Sequence, residues 1–217
     1  VAAEVAVLRS INARLLREVA LLRQREAQAL RLADRDGLTG LYNRRRMPEL
    51  LDNAIAEAVR HGHKVGILFV DLDGFKRIND GLGHAMGDKL LVSVAARIST
   101  RARSGDVVCR YGGDEFVVLL PRVRDRAAAL KVAASLRSRV AAPHRIDGEE
   151  FRITAAVGVS IFPDDGVSSA RLLERADARM YRDKAVPDLG ETTGTALEPP
   201  TRRRDDKSKR RAGITEP

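Results

Sequence analysis

At 217 residues, the chain has room for one domain of ordinary size plus appendages. Charged residues make up 32% and aromatics 4%, and no apolar run is long enough to cross a bilayer. With no secretory signal either, a soluble protein located in the cytoplasm is expected. The formal charge of +9 comes from basic residues spread along the chain and interleaved with acids, which argues against a dedicated nucleic-acid surface. The single cysteine, Cys109, excludes an internal disulfide and reads as a small buried hydrophobe. His61, His63, His84 and His144 have no zinc spacing.

The stretch from about Glu4 to Arg31 lacks Gly and Pro and predicts one helix. Val5, Leu8, Leu15, Val19 and Leu22 recur close to a heptad seam, with Asn12 and Glu26 at two further core positions. Arg and Glu surround a narrow apolar stripe, which favours a coiled coil, and an Asn in the seam can set register in a parallel pair. The alternative is a lone amphipathic helix lying on the domain. The first residue is Val rather than Met, so a longer parent protein with an upstream sensor is expected.

Further along, Met47 to Arg60 predicts a helix, Lys64 to Asp71 a strand, and Gly87 to Ser99 a helix. Val107 to Leu120 reads as a β-hairpin and Asp125 to Val140 as an Ala-rich helix N-capped by Asp125. Arg145 to Ile161 holds two strands around the Asp147-Gly148 turn, and Ser168 to Arg182 is a last helix. This mixed order predicts an α+β fold, with helices packed around a mostly antiparallel sheet. Pro187 to Pro217 is rich in Gly, Thr, Pro and mixed charge, so 186–217 is expected to be a disordered, solvated tail. Its Arg202–Arg204 and Lys207–Arg211 clusters are offset by acids.

Two places carry chemistry. The apolar run Val65 to Val70 stops at Asp71-Leu72-Asp73-Gly74, and period-2 alternation puts Asp71 and Asp73 on one side of the strand. Phe75 to Asp80 then supplies a cation, Lys76, and an amide, Asn79. The second place is Arg110-Tyr111-Gly112-Gly113-Asp114-Glu115-Phe116, a hairpin tip whose glycines permit close approach and whose acids follow at once. Carboxylates where phosphates can approach suit a magnesium–nucleotide site. Taken alone, the turn reads better as a plain Gly-Gly hairpin with solvated acids. Together, the two strand ends form a palm-like arrangement for phosphoryl transfer.

These residues resemble the GGDEF domain, the diguanylate cyclase family. Asp36-Gly37-Leu38-Thr39-Gly40-Leu41-Tyr42-Asn43-Arg44-Arg45 resembles its opening motif, and Asp71 to Asp80 its metal strand and substrate loop. Gly83-His84-Ala85-Met86-Gly87-Asp88 resembles its guanine loop, Gly112 to Phe116 its namesake hairpin, and Ala176 to Lys184 its last helix. The resemblance covers about residues 32–185. It implies a ferredoxin-like nucleotidyl cyclase domain behind a signalling helix at 1–31. The implied reaction condenses two GTP into cyclic di-GMP and two pyrophosphates.

By the same resemblance, Asp71, the Leu72 carbonyl and Asp114 hold Mg²⁺ or Mn²⁺. Asp114 takes the proton of the 3′-hydroxyl, and Glu115 supports a second metal or orients the site. Lys76 offsets phosphate charge, while Gly74, Phe75, Gly112 and Gly113 line the nucleotide. Asn79 and Asp88 read guanine, and a carboxylate accepting from its N1-H and 2-amino group rejects adenine. Lys184 resembles a phosphate lysine, but the arginine usual four residues later is Asp188 here. One nucleotide per site makes a homodimer necessary. Arg103-Ser104-Gly105-Asp106 matches the family's product-binding RxxD motif, with Arg103 and Asp106 contacting cyclic di-GMP; its alternative is a surface turn. Two rival functions are a GGDEF module without turnover that receives GTP or cyclic di-GMP, and a cyclase making a mononucleotide.

Overall fold

The computed structural model describes residues 2–100 and 105–185, and in the first helix the side chains of 9, 11–25, 33 and 34. The expected tail at 186–217 lies outside the described residues. Helix α1 spans Ala2–Asp34 and is followed by the two-residue strand β1, Tyr42–Asn43. Next come α2 (Met47–His61), β2 (Lys64–Leu72), α3 (Phe75–Leu82) and α4 (His84–Ser99). The hairpin strands are β3 (Val107–Arg110) and β4 (Glu115–Val123), followed by α5 (Arg126–Ala141). Then come β5 (His144–Ile146), β6 (Glu149–Phe151), β7 (Ala155–Phe162) and α6 (Ser169–Ala185).

The main sheet runs β1-β3-β4-β2-β7, and β5 and β6 form a separate pair. Strand β2 lies antiparallel to both β4 and β7, β3 is antiparallel to β4, and only the short β1 runs parallel to its neighbour. Strand, helices, hairpin, helix, strand, with the last strand beside the first, is the ferredoxin-like arrangement. The expected α+β class with a mostly antiparallel sheet is what the chain forms.

The sheet is buried on both faces because its central strands are apolar through their middles, Val65 to Val70 in β2 and Phe116 to Leu120 in β4. In β2, Leu68, Val70 and Leu72 join the core under α3, α4 and α5, whereas Val65, Ile67 and Phe69 join the core under α2 and α6. Parity therefore directs Asp71, the next odd position, to the α2–α6 side. Helix α6 lies directly on β7, and a Cβ at Gly158 would collide with the Ala176 carbonyl and the Met180 amide. Asp125 caps α5 as expected, accepting from the Ala128 amide at 2.7 Å. Arg97 from α4 donates to the carbonyls of Arg139, Ala142 and Pro143 and so closes the other end of α5.

One expectation needs adjusting. The segment from Arg145 to Ile161 holds parts of three strands, because Asp147 (φ 53°) and Gly148 (φ 87°) turn a small outer hairpin before β7 enters the main sheet. The wholly buried β7 needs a partner on its edge, and β2 supplies it. Strand β1 is too short to leave a sequence signal. Among the described residues, no helix is long and apolar enough to cross a membrane.

Candidate active site

Both acidic strand ends meet at one end of the two central strands, where β2 stops and β4 starts. Asp71 pairs in register with Glu115, and the Leu72 amide donates to the Asp114 carbonyl at 3.3 Å. The hairpin is closed by the Tyr111 and Gly112 amides, which donate to the Glu115 carbonyl at 2.8 and 3.3 Å. The Glu115 side chain folds back against Gly112, in space that any Cβ there would contest. Arg110 fixes the tip: its Nε and Nη2 donate to the Gly113 carbonyl at 3.1 and 2.8 Å. Its Nη1 reaches both carboxylate oxygens of Asp36 at 3.1 and 3.2 Å. Asp36 also accepts from the Thr39 amide and hydroxyl at 2.8 and 2.6 Å, so the opening motif works as a brace for the hairpin.

The carboxylates crowd one another. Burial pushes the Asp114 carboxyl up, and the Asp71 charge adds to this, against the pull of Lys184 and Arg110. Glu115 is likewise pushed up by burial, then by Asp71, Asp177 and Asp114, with Arg44 opposing. Lys184 of α6 answers this charge, with its Nζ 2.7 Å from Asp71 Oδ1. Burial works against the ammonium, but contact with Asp71 and the charges of Asp71, Asp73 and Asp114 outweigh it and raise its pKa. The approach is close but poorly angled, so the buried Oδ1 accepts no well-formed hydrogen bond. Asp73 plays a different part. Its Oδ2 accepts from the Thr154 hydroxyl at 2.7 Å, tying the end of β2 to the start of β7.

The nucleotide loop follows. Gly74 takes the left-handed conformation (φ 71°) at the start of α3, Phe75 is buried beneath it, and Lys76 is exposed. The Arg77 guanidinium folds over Gly74, with Nη2 2.8 Å from where a Cβ would stand; nothing in the local sequence pattern singles out this cation. Asn79 Oδ1 is buried without a donor and rests against Gly87, whose lack of a Cβ makes the contact possible. Asp88 follows Gly87 on α4 and is exposed, so the two expected guanine readers stand on adjoining helices.

This donor set suits a hard divalent cation. It offers crowded carboxylates and, in Asp71 Oδ1, a buried oxygen that lacks a proper donor. Among the described residues, no three His, Cys, Asp or Glu side chains converge as a ready-made cage, so backbone oxygens would have to complete the coordination. Away from these strand ends, Asp106 lines a cavity of about 330 Å³ between α4, α5 and the sheet, together with Arg97, Lys131, Arg139, Val118 and Leu136. Its expected partner Arg103 lies outside the described residues.

A family model described as "Diguanylate cyclase, GGDEF domain" matches residues 33–187. The chain belongs to this family. It is similar to the bifunctional diguanylate cyclase/cyclic di-GMP phosphodiesterase MucR of Pseudomonas aeruginosa, 42% identical over 157 residues, taking in 72% of the chain and 23% of MucR. It is also similar to the response regulator PleD of Caulobacter vibrioides, 40% identical over 167 residues, 76% of the chain and 37% of PleD. The chain thus spans less than half the length of these curated relatives. Among solved structures, a form of TpbB from P. aeruginosa comprising only the GGDEF domain aligns with a TM-score of 0.68 at 40% identity, covering 70% of this chain and 88% of that one. The coiled coil and GGDEF domain of DgcB from Caulobacter crescentus, in complex with c-di-GMP, aligns with a TM-score of 0.71 at 32% identity, covering 82% and 94%.

Proposed function

We propose that this GGDEF domain is a working diguanylate cyclase that condenses two GTP into cyclic di-GMP and two pyrophosphates as a homodimer in the cytoplasm. The observation that carries the reading is the set of charged groups gathered where β2 ends and β4 begins. Asp71 and Glu115 are paired in register, Asp114 is bonded through its carbonyl to the end of β2, and Lys184 stands among them. A module kept only for binding has no need of acids this crowded, two of which, Asp114 and Glu115, are pushed up by burial and by the Asp71 charge.

The roles proposed for these residues are those that the family resemblance implies. Asp71, Asp114 and the Leu72 carbonyl would hold Mg²⁺ or Mn²⁺, which when bound neutralises charge at the α-phosphate and acidifies the attacking 3′-hydroxyl. Asp114, whose carboxyl is already pushed up, takes that proton. Glu115 braces the tip from behind, folded against Gly112. Lys76 and the amides around Gly74 meet the triphosphate, with Gly112 and Gly113 leaving room for it. Asn79 and Asp88 select guanine by accepting from donors that adenine lacks. Two such domains must face each other, each presenting one nucleotide, and α1 is suited to hold them together. The larger share of the chain aligned with the DgcB structure that includes a coiled coil supports this role for α1. An upstream sensor would act through the same helix.

Product feedback fits the cavity beside Asp106. Arg97, Lys131 and Arg139 line it together with apolar Val118 and Leu136, a mixture that suits a phosphodiester with stacked bases. Arg103 would add a forked donor. The deciding experiment incubates the chain with GTP and Mg²⁺ and identifies the product by mass, with Asp114→Ala alongside. Cyclic di-GMP from the wild-type chain and none from the folded variant is expected. Tight cyclic di-GMP binding without turnover would assign a receptor instead, and a mononucleotide product would assign another class of cyclase.

A further inference from the structure

Lys184 stands where its phosphate role alone would not put it. Its ammonium is 2.7 Å from Asp71 Oδ1, and its side chain is 34% exposed against 14% for Asp71. Asp73 and Asp114 act on it as well. Arg110 and Arg44 act on Asp114 and Glu115, but the charge in contact with Asp71 is Lys184.

We infer that Lys184 is the resident cation of the metal-free site, and that it must leave Asp71 before a divalent cation can bind there. This rests on the metal–nucleotide reading above. A divalent cation arriving alone meets a like charge at contact distance from the ligand it needs. Expelling the lysine also strips a half-buried ammonium of its counter-charge. A nucleoside triphosphate removes both penalties, because its phosphates give the displaced ammonium a new anion. Metal alone is thus held weakly, while metal and nucleotide load together. By linkage, each raises the other's affinity by the same factor.

The end of α6 does not depend on Lys184 for its attachment. The neighbouring Asp183 pairs with Arg137 at 2.6 Å and accepts from the Val157 amide at 3.1 Å. Arg179 forks onto Asp165 one turn earlier, with both bonds at 2.7 Å. The contact with Asp71 can therefore open without loss of the helix.

The test uses Mn²⁺ alone as the probe, titrated into the purified chain and read by the electron paramagnetic resonance of free Mn²⁺, without nucleotide. Lys184→Met is expected to bind Mn²⁺ about tenfold more tightly than wild type, with an unchanged melting temperature. Lys184→Arg, which keeps the charge, should return affinity toward the wild-type value. A slowly reacting fluorescent GTP analogue, measured with Mn²⁺ present, should bind the Met variant more weakly. Opposite signs for metal and nucleotide are the signature of displacement. Equal or weaker Mn²⁺ binding by a folded Lys184→Met chain overturns the inference but leaves the metal site standing. Mn²⁺ affinity that is undetectable in both chains, or unchanged in Asp71→Ala, overturns the metal site and the inference with it.

Discussion

Asp165 shows how much one side chain can join. It accepts from Arg126 at 2.6 Å, from both ends of the Arg179 guanidinium at 2.7 Å, and from the Ile161 amide at 2.8 Å, so α5, α6 and β7 meet on one carboxylate. Burial alone would push its carboxyl up, but the two arginines and the amide outweigh this and hold it far below the usual carboxylate range. A depressed folded pKa gives stability that is fully present above the unfolded value of about 3.9 and is lost as pH falls toward the folded one. Asp165→Asn should therefore cost about 2–3 kcal/mol at pH 7, discounting for the half-exposed arginines, or roughly 5–10 °C in melting temperature. Thermal melts of both chains at pH 7 and pH 3 check this: the gap should narrow in acid, and a gap that stays constant would mean that charge is not the source. The guanine reading is tested at a residue too. Asp88→Ser removes an acceptor for two donors, which contributes about 1.5–3 kcal/mol and hence roughly a ten- to hundredfold loss in preference for GTP over ATP. Competition between the two nucleotides measures it, and unchanged competition would leave Asp88 as a helix residue only. The acids at Asp71, Asp114 and Glu115 are legible in the sequence because strand ends and Gly-Gly turns are local patterns. The contact between Lys184 and Asp71 is not, since nothing in either segment specifies which face of α6 lands on which strand end.

Helix α6 carries Lys184, the proposed phosphate-binding side chain, so its seat on the sheet governs where that ammonium stands. Gly158 makes that seat possible, with the helix backbone lying directly against the strand. Gly158→Ala should lift α6, costing about 1–3 kcal/mol as overpacking does. The displaced Lys184 should also weaken nucleotide binding. A lower melting temperature together with weaker nucleotide binding is expected, whereas normal stability would mean that the helix shifts freely at that point. At this scale the sequence is legible where periodicity is strong. The continuous apolar runs of β2 and β4 and the capped α5 stand out. The boundary between the β5–β6 hairpin and β7 does not, because both lie in one stretch of strand-forming residues and only sheet partners separate them. Strand β1 exists only through pairing with β3.

In the whole molecule, α1 is linked to the β3–β4 hairpin by way of β1. The Asn43 side-chain amide donates to the Ala33 carbonyl at 2.7 Å, and Arg45 pairs with Asp34 at 3.2 Å, so the end of α1 is bonded to β1 and the turn after it. Strand β1 pairs with β3, whose last residue Arg110 grips both Asp36 and the Gly113 carbonyl. Movement of the helix therefore has a mechanical route to the tip that bears Asp114. The helix also has an unspent apolar face: Leu15 is 54% exposed, Val19 43% and Leu22 56%, on the expected seam. Ile11 and Leu16 flank the seam and are exposed as well, so the stripe is wider than the heptad pattern alone implies. If two helices bury this face together, each seam leucine contributes about 1.5–3 kcal/mol. Leu15→Lys combined with Leu22→Lys should then weaken dimerisation by at least about a hundredfold. The domain would stay folded, because neither residue belongs to its cores. Specific activity should fall at low protein concentration and recover as concentration rises, since each site still binds its own nucleotide and lacks only the facing one. Sedimentation and initial rates measured across the same concentration series would show the two effects moving together. Wild-type specific activity at every concentration would mean that the two domains meet without the helix.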